Sequence, residues 1–121
     1  MNIGTDIIQI SRIEKAIDKF GDKFAQRFLH PEEINIAKKV ASIAGFWAAK
    51  EAISKALGCG ICKELSFHDI IISKDKKGSP YFVLSKVAQT YFHIESSSLS
   101  ISHDGGFAIA VVAIKAQDKL F

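Results

Sequence analysis

The closing stretch SLSISHDGGFAIAVVAI, residues 98–114, constrains the fold more than any other part of the chain. Ser98, Ser100 and Ser102 alternate with Leu99 and Ile101, which is the two-residue period of a half-buried strand. The sequence HDGG then supplies the residues of a tight hairpin turn. Every position of the following run, 107–114, is apolar. A strand apolar on both faces needs cover on both, so this one belongs in the middle of its sheet. Residues 2–8, with Ile3, Thr5, Ile7 and Ile8, read as a further short strand.

Between these strands the pattern is helical first and extended later. Ser11 can cap a helix, with Glu14 as its capping-box partner. Ile13, Ala16, Ile17, Phe20, Phe24 and Phe28 follow at helical spacing, broken or bent near Gly21. HPEEI at 30–34 opens a short helix with Pro31 in its first turn and Glu32 and Glu33 near its positive end. A long helix spans about 41–57. Residues 66–73 read as a strand, KDKKGSP as a turn, 81–84 as a returning strand and 86–93 as a short amphipathic helix. Helices early, strands late and one strand at the very start predict an α+β fold. A length of 121 residues fits one domain, 1–121.

The totals narrow the function classes. A net charge of +3 is too small to argue for nucleic acid by itself, but it favours an acidic substrate or partner. A mean hydropathy of +0.15 is somewhat apolar for so short a chain and hints at surface covered by other subunits. No apolar run reaches the length of a membrane span. The opening MNIGTDIIQI has no basic stretch and is interrupted by Asp6, so it does not read as a signal peptide, and the closing DKLF reads as no sorting signal. Cys59 and Cys62 form C-G-I-C with no second pair to complete a zinc site. They read as small, reduced loop residues, and the cytosol is the expected compartment.

The chemistry is concentrated in FWAAKEAISKALG, residues 46–58. As a helix it puts Phe46, Ala48, Ala49, Ala52, Ile53, Ala56 and Leu57 on one apolar arc. Trp47, Lys50, Glu51, Ser54 and Lys55 share the other arc. Lysine and serine there suit a phosphate, and Glu51 with Asp6 suits a hard cation such as Mg²⁺, which takes one or two carboxylates plus phosphate oxygens. The plainer account is a solvated helix face, with Asp6 at a strand end and Glu51 paired to Lys55. His103 ends a strand at the turn, where it can meet a phosphate or act as a base. Arg12, Lys15, Lys19, Lys23 and Arg27 form a basic stripe, either solvated or facing an acidic partner helix.

Taken together and in this order, GTDIIQISRIE, FWAAKEAISKALG, LSFHDIII, KGSPYF and SISHDGGFAIAVV resemble the short bacterial phosphopantetheinyl transferases, the holo-acyl-carrier-protein synthases. The resemblance runs along nearly the whole chain. It implies an antiparallel sheet packed on a long helix and shorter helices. It also implies transfer of 4'-phosphopantetheine from coenzyme A to a serine of apo acyl carrier protein, for fatty acid biosynthesis, with release of adenosine 3',5'-bisphosphate. On this pattern Asp6 and Glu51 match the Mg²⁺ ligands and Lys55 the lysine beside the pyrophosphate, with Ser54 next to it. His103 matches the histidine close to the coenzyme phosphates, Gly78 and Pro80 the loop near its nucleotide, and Arg12, with Arg27 further along the stripe, the carrier-docking surface. Relatives often carry arginine where this chain has Phe46, so a phosphate contact is lost or supplied elsewhere. The family pattern also implies a homotrimer with active sites at subunit interfaces. A metal-dependent phosphoesterase and a non-catalytic nucleotide- or RNA-binding module are the alternatives from other classes.

Overall fold

The apolar closing run takes the middle place in a three-stranded antiparallel sheet. A computed structural model describes residues 1–117, so DKLF lies outside the described residues. Strand β1 (Asn2–Gln9) leads into helices α1 (Ile10–Phe20), α2 (Asp22–Gln26), α3 (Pro31–Ile36) and α4 (Val40–Ala56). A 3-10 turn (Phe67–Asp69), the hairpin β2 (Ile70–Lys74) and β3 (Pro80–Leu84), and helix α5 (Lys86–Gln89) come next. Strands β4 (Ile94–Asp104) and β5 (Phe107–Ala116) close the fold. The main sheet has the order β1–β5–β4, and β2 and β3 form a separate pair. Gly105 and Gly106 turn β4 into β5 with φ of 59° and 85°, the positive pair that a type I′ hairpin requires.

Two layers meet on α4. Ala108, Ala110, Val112 and Ile114 of β5 are fully buried, as are Ala44, Ala48, Ala49 and Ala52 of the helix. Small side chains let helix and sheet approach closely, and Gly4 takes this furthest: a Cβ there would collide with the Ala52 carbonyl. That closeness brings the β1 edge, and Asp6 with it, against the second half of α4. On the far side of α4 lie Phe28, Leu29, Leu65, Ile70 and Ile72, all buried in the same core. A helix covered on both sides is apolar nearly all round.

Several local expectations change. Helix α1 starts at Ile10 after Gln9, so Ser11 lies inside it and caps nothing. The Ile10 N–H is instead bonded to the Gly106 carbonyl at 2.9 Å, across the hairpin turn. The strand expected at 66–73 begins as a 3-10 turn because Asp69 accepts from the Ser66 N–H and hydroxyl at 2.8 and 3.0 Å, and only Ile70 onward pairs. The helix expected at 86–93 is one turn, ending at Gln89. The outer face of β5 is not covered within the chain: Phe107, Ile109 and Val111 remain 39–43% exposed.

Candidate active site

Asp6 and Lys55 meet across the contact that Gly4 permits. The Lys55 ammonium lies 2.9 Å from Asp6 Oδ1 and 3.2 Å from the Thr5 carbonyl. The pair is open, with side chains 52% and 17% exposed. Glu51 stands one turn back on α4, and its carboxyl is raised above the ordinary carboxylate range. Burial is the larger cause, the Asp6 charge adds to it, and Lys55 partly opposes it. A carboxylate made costly by burial and by a second carboxylate, beside an ammonium, suits a hard divalent cation. Among the described residues no group of three or more His, Cys, Asp or Glu side chains is arranged for a metal. Any cation held here would therefore complete its shell with substrate oxygens and water.

A second recess lies toward the start of α4. A cavity of about 200 Å³ is lined by Ser42, Phe46, Lys74, Gly78, Pro80 and His103, with Ala41 and Ile101. Three of the expected residues, Gly78, Pro80 and His103, thus come together. His103 pairs with Ala108 and Asp6 with Ala110, so both project from the helix-facing side of the sheet on opposite sides of β5. With strands spaced about 4.8 Å apart, the two recesses are on the order of 10 Å from one another. Phe46 is buried at 2% exposure and forms an apolar wall, so it offers no phosphate contact. Sequence reasoning missed Lys74, whose side chain shares this cavity with the His103 ring. Its signal was its place at a strand end directly opposite Pro80.

The arc expected to face solvent divides. Ser54 is fully buried, and its hydroxyl donates to the Glu51 carbonyl at 2.7 Å, so it presents nothing to a ligand here. Trp47 joins an aromatic cluster with Phe24, Phe28 and Phe67, its ring centroid 5.0 Å from Phe28 and 4.9 Å from Phe67. Lys50 is fully buried. Its ammonium donates to Glu33 Oε1 at 2.8 Å and to the Phe28 and Phe67 carbonyls at 2.6 and 3.0 Å, which uses all three N–H groups. Glu33 also accepts from the His30 N–H at 2.8 Å and the Ile72 N–H at 2.9 Å. Glu33 was read only as a charge near the helix start, although Leu29, Glu33 and Ala37 fall four apart and all are buried.

The basic stripe is split by Gly21 between α1 and α2, as its glycine predicts. Arg12 is exposed on α1. The Arg27 guanidinium and Lys19 ammonium lie 5.1 and 5.3 Å from the centroid of the exposed Phe20 ring.

Comparison with known proteins agrees with this layout. A model of the 4'-phosphopantetheinyl transferase superfamily matches residues 2–112. The holo-acyl-carrier-protein synthase of Sulfurovum sp. is 65% identical over 114 residues, covering 94% of this chain and 96% of its own. That of Helicobacter pylori is 57% identical over 118 residues, covering 97% and 99%. A crystal structure of the Helicobacter pylori holo-acyl-carrier-protein synthase in complex with coenzyme A matches with a TM-score of 0.90 at 59% identity, covering 93% of this chain and 99% of that one. With the resemblance seen in the sequence motifs and an α+β fold of the same shape, this chain belongs to the 4'-phosphopantetheinyl transferase superfamily, among the holo-acyl-carrier-protein synthases.

Proposed function

We propose that this enzyme transfers 4'-phosphopantetheine from coenzyme A to a serine hydroxyl of apo acyl carrier protein and releases adenosine 3',5'-bisphosphate. The observation that carries the reading is the open cluster of Asp6, Glu51 and Lys55 beside a separate recess bearing Lys74 and His103. The coenzyme lies with its nucleotide against Gly78, Pro80 and Phe46, its 3'-phosphate toward Lys74 and His103, and its pyrophosphate toward Lys55. The serine oxygen attacks the phosphorus that carries pantetheine, and the bond to the bridging pyrophosphate oxygen breaks. Such transfers depend on placement and charge neutralisation more than on covalent help from the protein. Asp6 and Glu51 would hold Mg²⁺, which supplies charge neutralisation on the pyrophosphate. Glu51 lies at the transfer end and His103 at the nucleotide end, so Glu51 is the better placed to take the serine's proton.

The exposed face of the sheet supports assembly. Ile3 and Ile7 are 70% and 58% exposed and lie in register with Ala113 and Ile109, beside Val111 and Phe107. We assign this face to a homotrimer in which neighbouring subunits complete the active sites, within one domain of residues 1–121. Light scattering should give three times the 13.3 kDa of one chain, and a fully active single chain refutes the assignment. No helix among the described residues is long and apolar enough to cross a membrane. With two free thiols, a cytoplasmic enzyme is the consistent proposal.

The direct test mixes the protein with coenzyme A, Mg²⁺ and apo acyl carrier protein, and weighs the carrier by mass spectrometry. One added phosphopantetheinyl group is expected. Coenzyme A cleaved with the carrier unmodified would instead mean a phosphoesterase. Arg12, and less strongly Arg27, should meet the acidic carrier. Arg12→Glu is expected to raise the carrier KM about tenfold while the coenzyme KM stays put, because surface charge acts mainly on encounter. Equal rises for both substrates would remove Arg12 from docking.

A further inference from the structure

The loop after α4 holds two thiols that the transfer chemistry does not use. Cys59 and Cys62 line a cavity of about 590 Å³ with Leu57, Gly58, Glu64 and Tyr91, among others. Both are free, Cys59 exposed and Cys62 half-buried. Between them Gly60 has φ of 65°, which curls the loop, and its N–H hangs the loop from the Ser54 carbonyl at 3.1 Å. Cys62 and Leu65 then exchange backbone bonds of 2.9 and 3.1 Å. The Cys59 thiol donates to the Gly60 carbonyl at 2.8 Å, and Cys62 is near enough to act on it electrostatically.

The surroundings of Cys59 favour neutral sulfur. Burial first, then Cys62 and the Glu64 charge, push the Cys59 thiol up to about 12. Glu64 Oε2 is buried with no hydrogen-bond partner among the described residues. A carboxylate in that state makes a nearby thiolate costly and leaves a neutral disulfide untouched. A thiolate-bound metal finds no support, since no group of three or more metal-ligating side chains occurs among the described residues.

We propose that Cys59 and Cys62 are a thiol–disulfide modification site, closed to an intramolecular disulfide by exchange with a low-molecular-weight disulfide. A thiolate of the pair attacks one sulfur of the small disulfide and expels the first small thiolate, which takes up a proton. The second cysteine, as thiolate, attacks the protein sulfur of the mixed disulfide and expels the second small thiol. Two protein thiols are oxidised by two electrons and the small disulfide is reduced to two thiols. With thiolate scarce, closure is slow at neutral pH, and the disulfide, once formed, has poor leaving groups and resists reduction.

Incubating the full-length protein with oxidised glutathione, then alkylating it unfolded with iodoacetamide and measuring intact mass, tests this. Wild type should lose two hydrogens, carry neither glutathione nor alkyl groups, and react about tenfold faster for each pH unit between about pH 7 and about pH 9. Cys59→Ser and Cys62→Ser should each stop at a single glutathione adduct. Wild type that keeps a glutathione adduct, forms disulfide-linked chain pairs, or still takes two alkyl groups after prolonged exposure would overturn the assignment.

Discussion

Two lysines on one helix, five residues apart, meet acidic partners at nearly the same distance and do different work. Lys50 and Glu33, 2.8 Å apart, are both fully buried, and every donor of the ammonium is used. Lys55 and Asp6, 2.9 Å apart, are partly in water, and among the described residues Lys55 has one further bond, to the Thr5 carbonyl. The difference is cover. The buried pair ties α3, α4 and the middle of β2 into one body, and it cannot change partners without leaving a charge unpaired. The open pair can release Lys55 to a phosphate and Asp6 to a cation at little cost. Geometry of a salt bridge alone therefore does not separate a structural pair from a chemical one; saturation and exposure do.

The largest effect that should break this contrast comes from Lys50→Met. It leaves the Glu33 carboxylate buried without its cation, and losing one partner of a buried pair costs about 3–5 kcal/mol. Chemical denaturation should show that loss, and adding Glu33→Leu should recover much of it, since an apolar pair can replace a buried ionic one. Burial already pulls the Lys50 pKa below its usual value against the opposing pull of Glu33, in keeping with a costly site. If Lys50→Met unfolds at wild-type denaturant concentrations, the pair is not structural.

The open cluster should behave in the opposite way. Asp6→Asn and Glu51→Gln are expected to lower kcat at least about 100-fold, the scale of losing one electrostatic stabiliser of a transition state. Circular dichroism and melting should stay near wild type. Lys55→Met should shift stability by less than about 1 kcal/mol, as for other exposed pairs. Near-normal turnover in Asp6→Asn or Glu51→Gln with saturating coenzyme A would remove that residue from the proposed cation site.

The same contrast shows what the sequence reveals and what it hides. The central place of β5 was legible because no position in 107–114 is polar, and Gly21 and the HDGG turn punctuate as glycine must. Asp6 and Glu51 were singled out by residue chemistry and matched by the family motifs, while their electrostatic coupling depends on how β1 lies on α4. The two-faced reading of 46–58 failed at Lys50 and Ser54, since helical periodicity cannot show that a second layer covers the polar arc. Nor could it show that Glu33, from another helix, supplies the countercharge. Lys74 was hidden for a related reason: it reaches the recess beside Phe46 and His103 only because the β2–β3 hairpin folds back beside α4.

The smallest effect sharpens the reading of the open cluster. Glu51 has its pKa raised in the folded state, so the fold binds this proton more tightly than the unfolded chain does. Stability then falls as pH rises from the ordinary carboxylate range through the raised value, and the penalty is complete once the pH lies above that value. Glu51→Gln removes it. The variant should melt slightly above wild type at neutral pH in chelator, by less than about 1 kcal/mol because Glu51 is only partly buried. The gap should close in acid, where both chains carry a neutral group. Millimolar Mg²⁺ should then raise the wild-type midpoint, since a ligand that binds only the folded state stabilises it, and should leave Glu51→Gln almost unmoved. Thermal melts at two pH values, with chelator and with Mg²⁺, contain the whole test. A Glu51→Gln midpoint below wild type in chelator at neutral pH would mean that Glu51 is held by favourable partners and is not strained by burial and by Asp6. An equal Mg²⁺ response in both proteins would place the cation elsewhere.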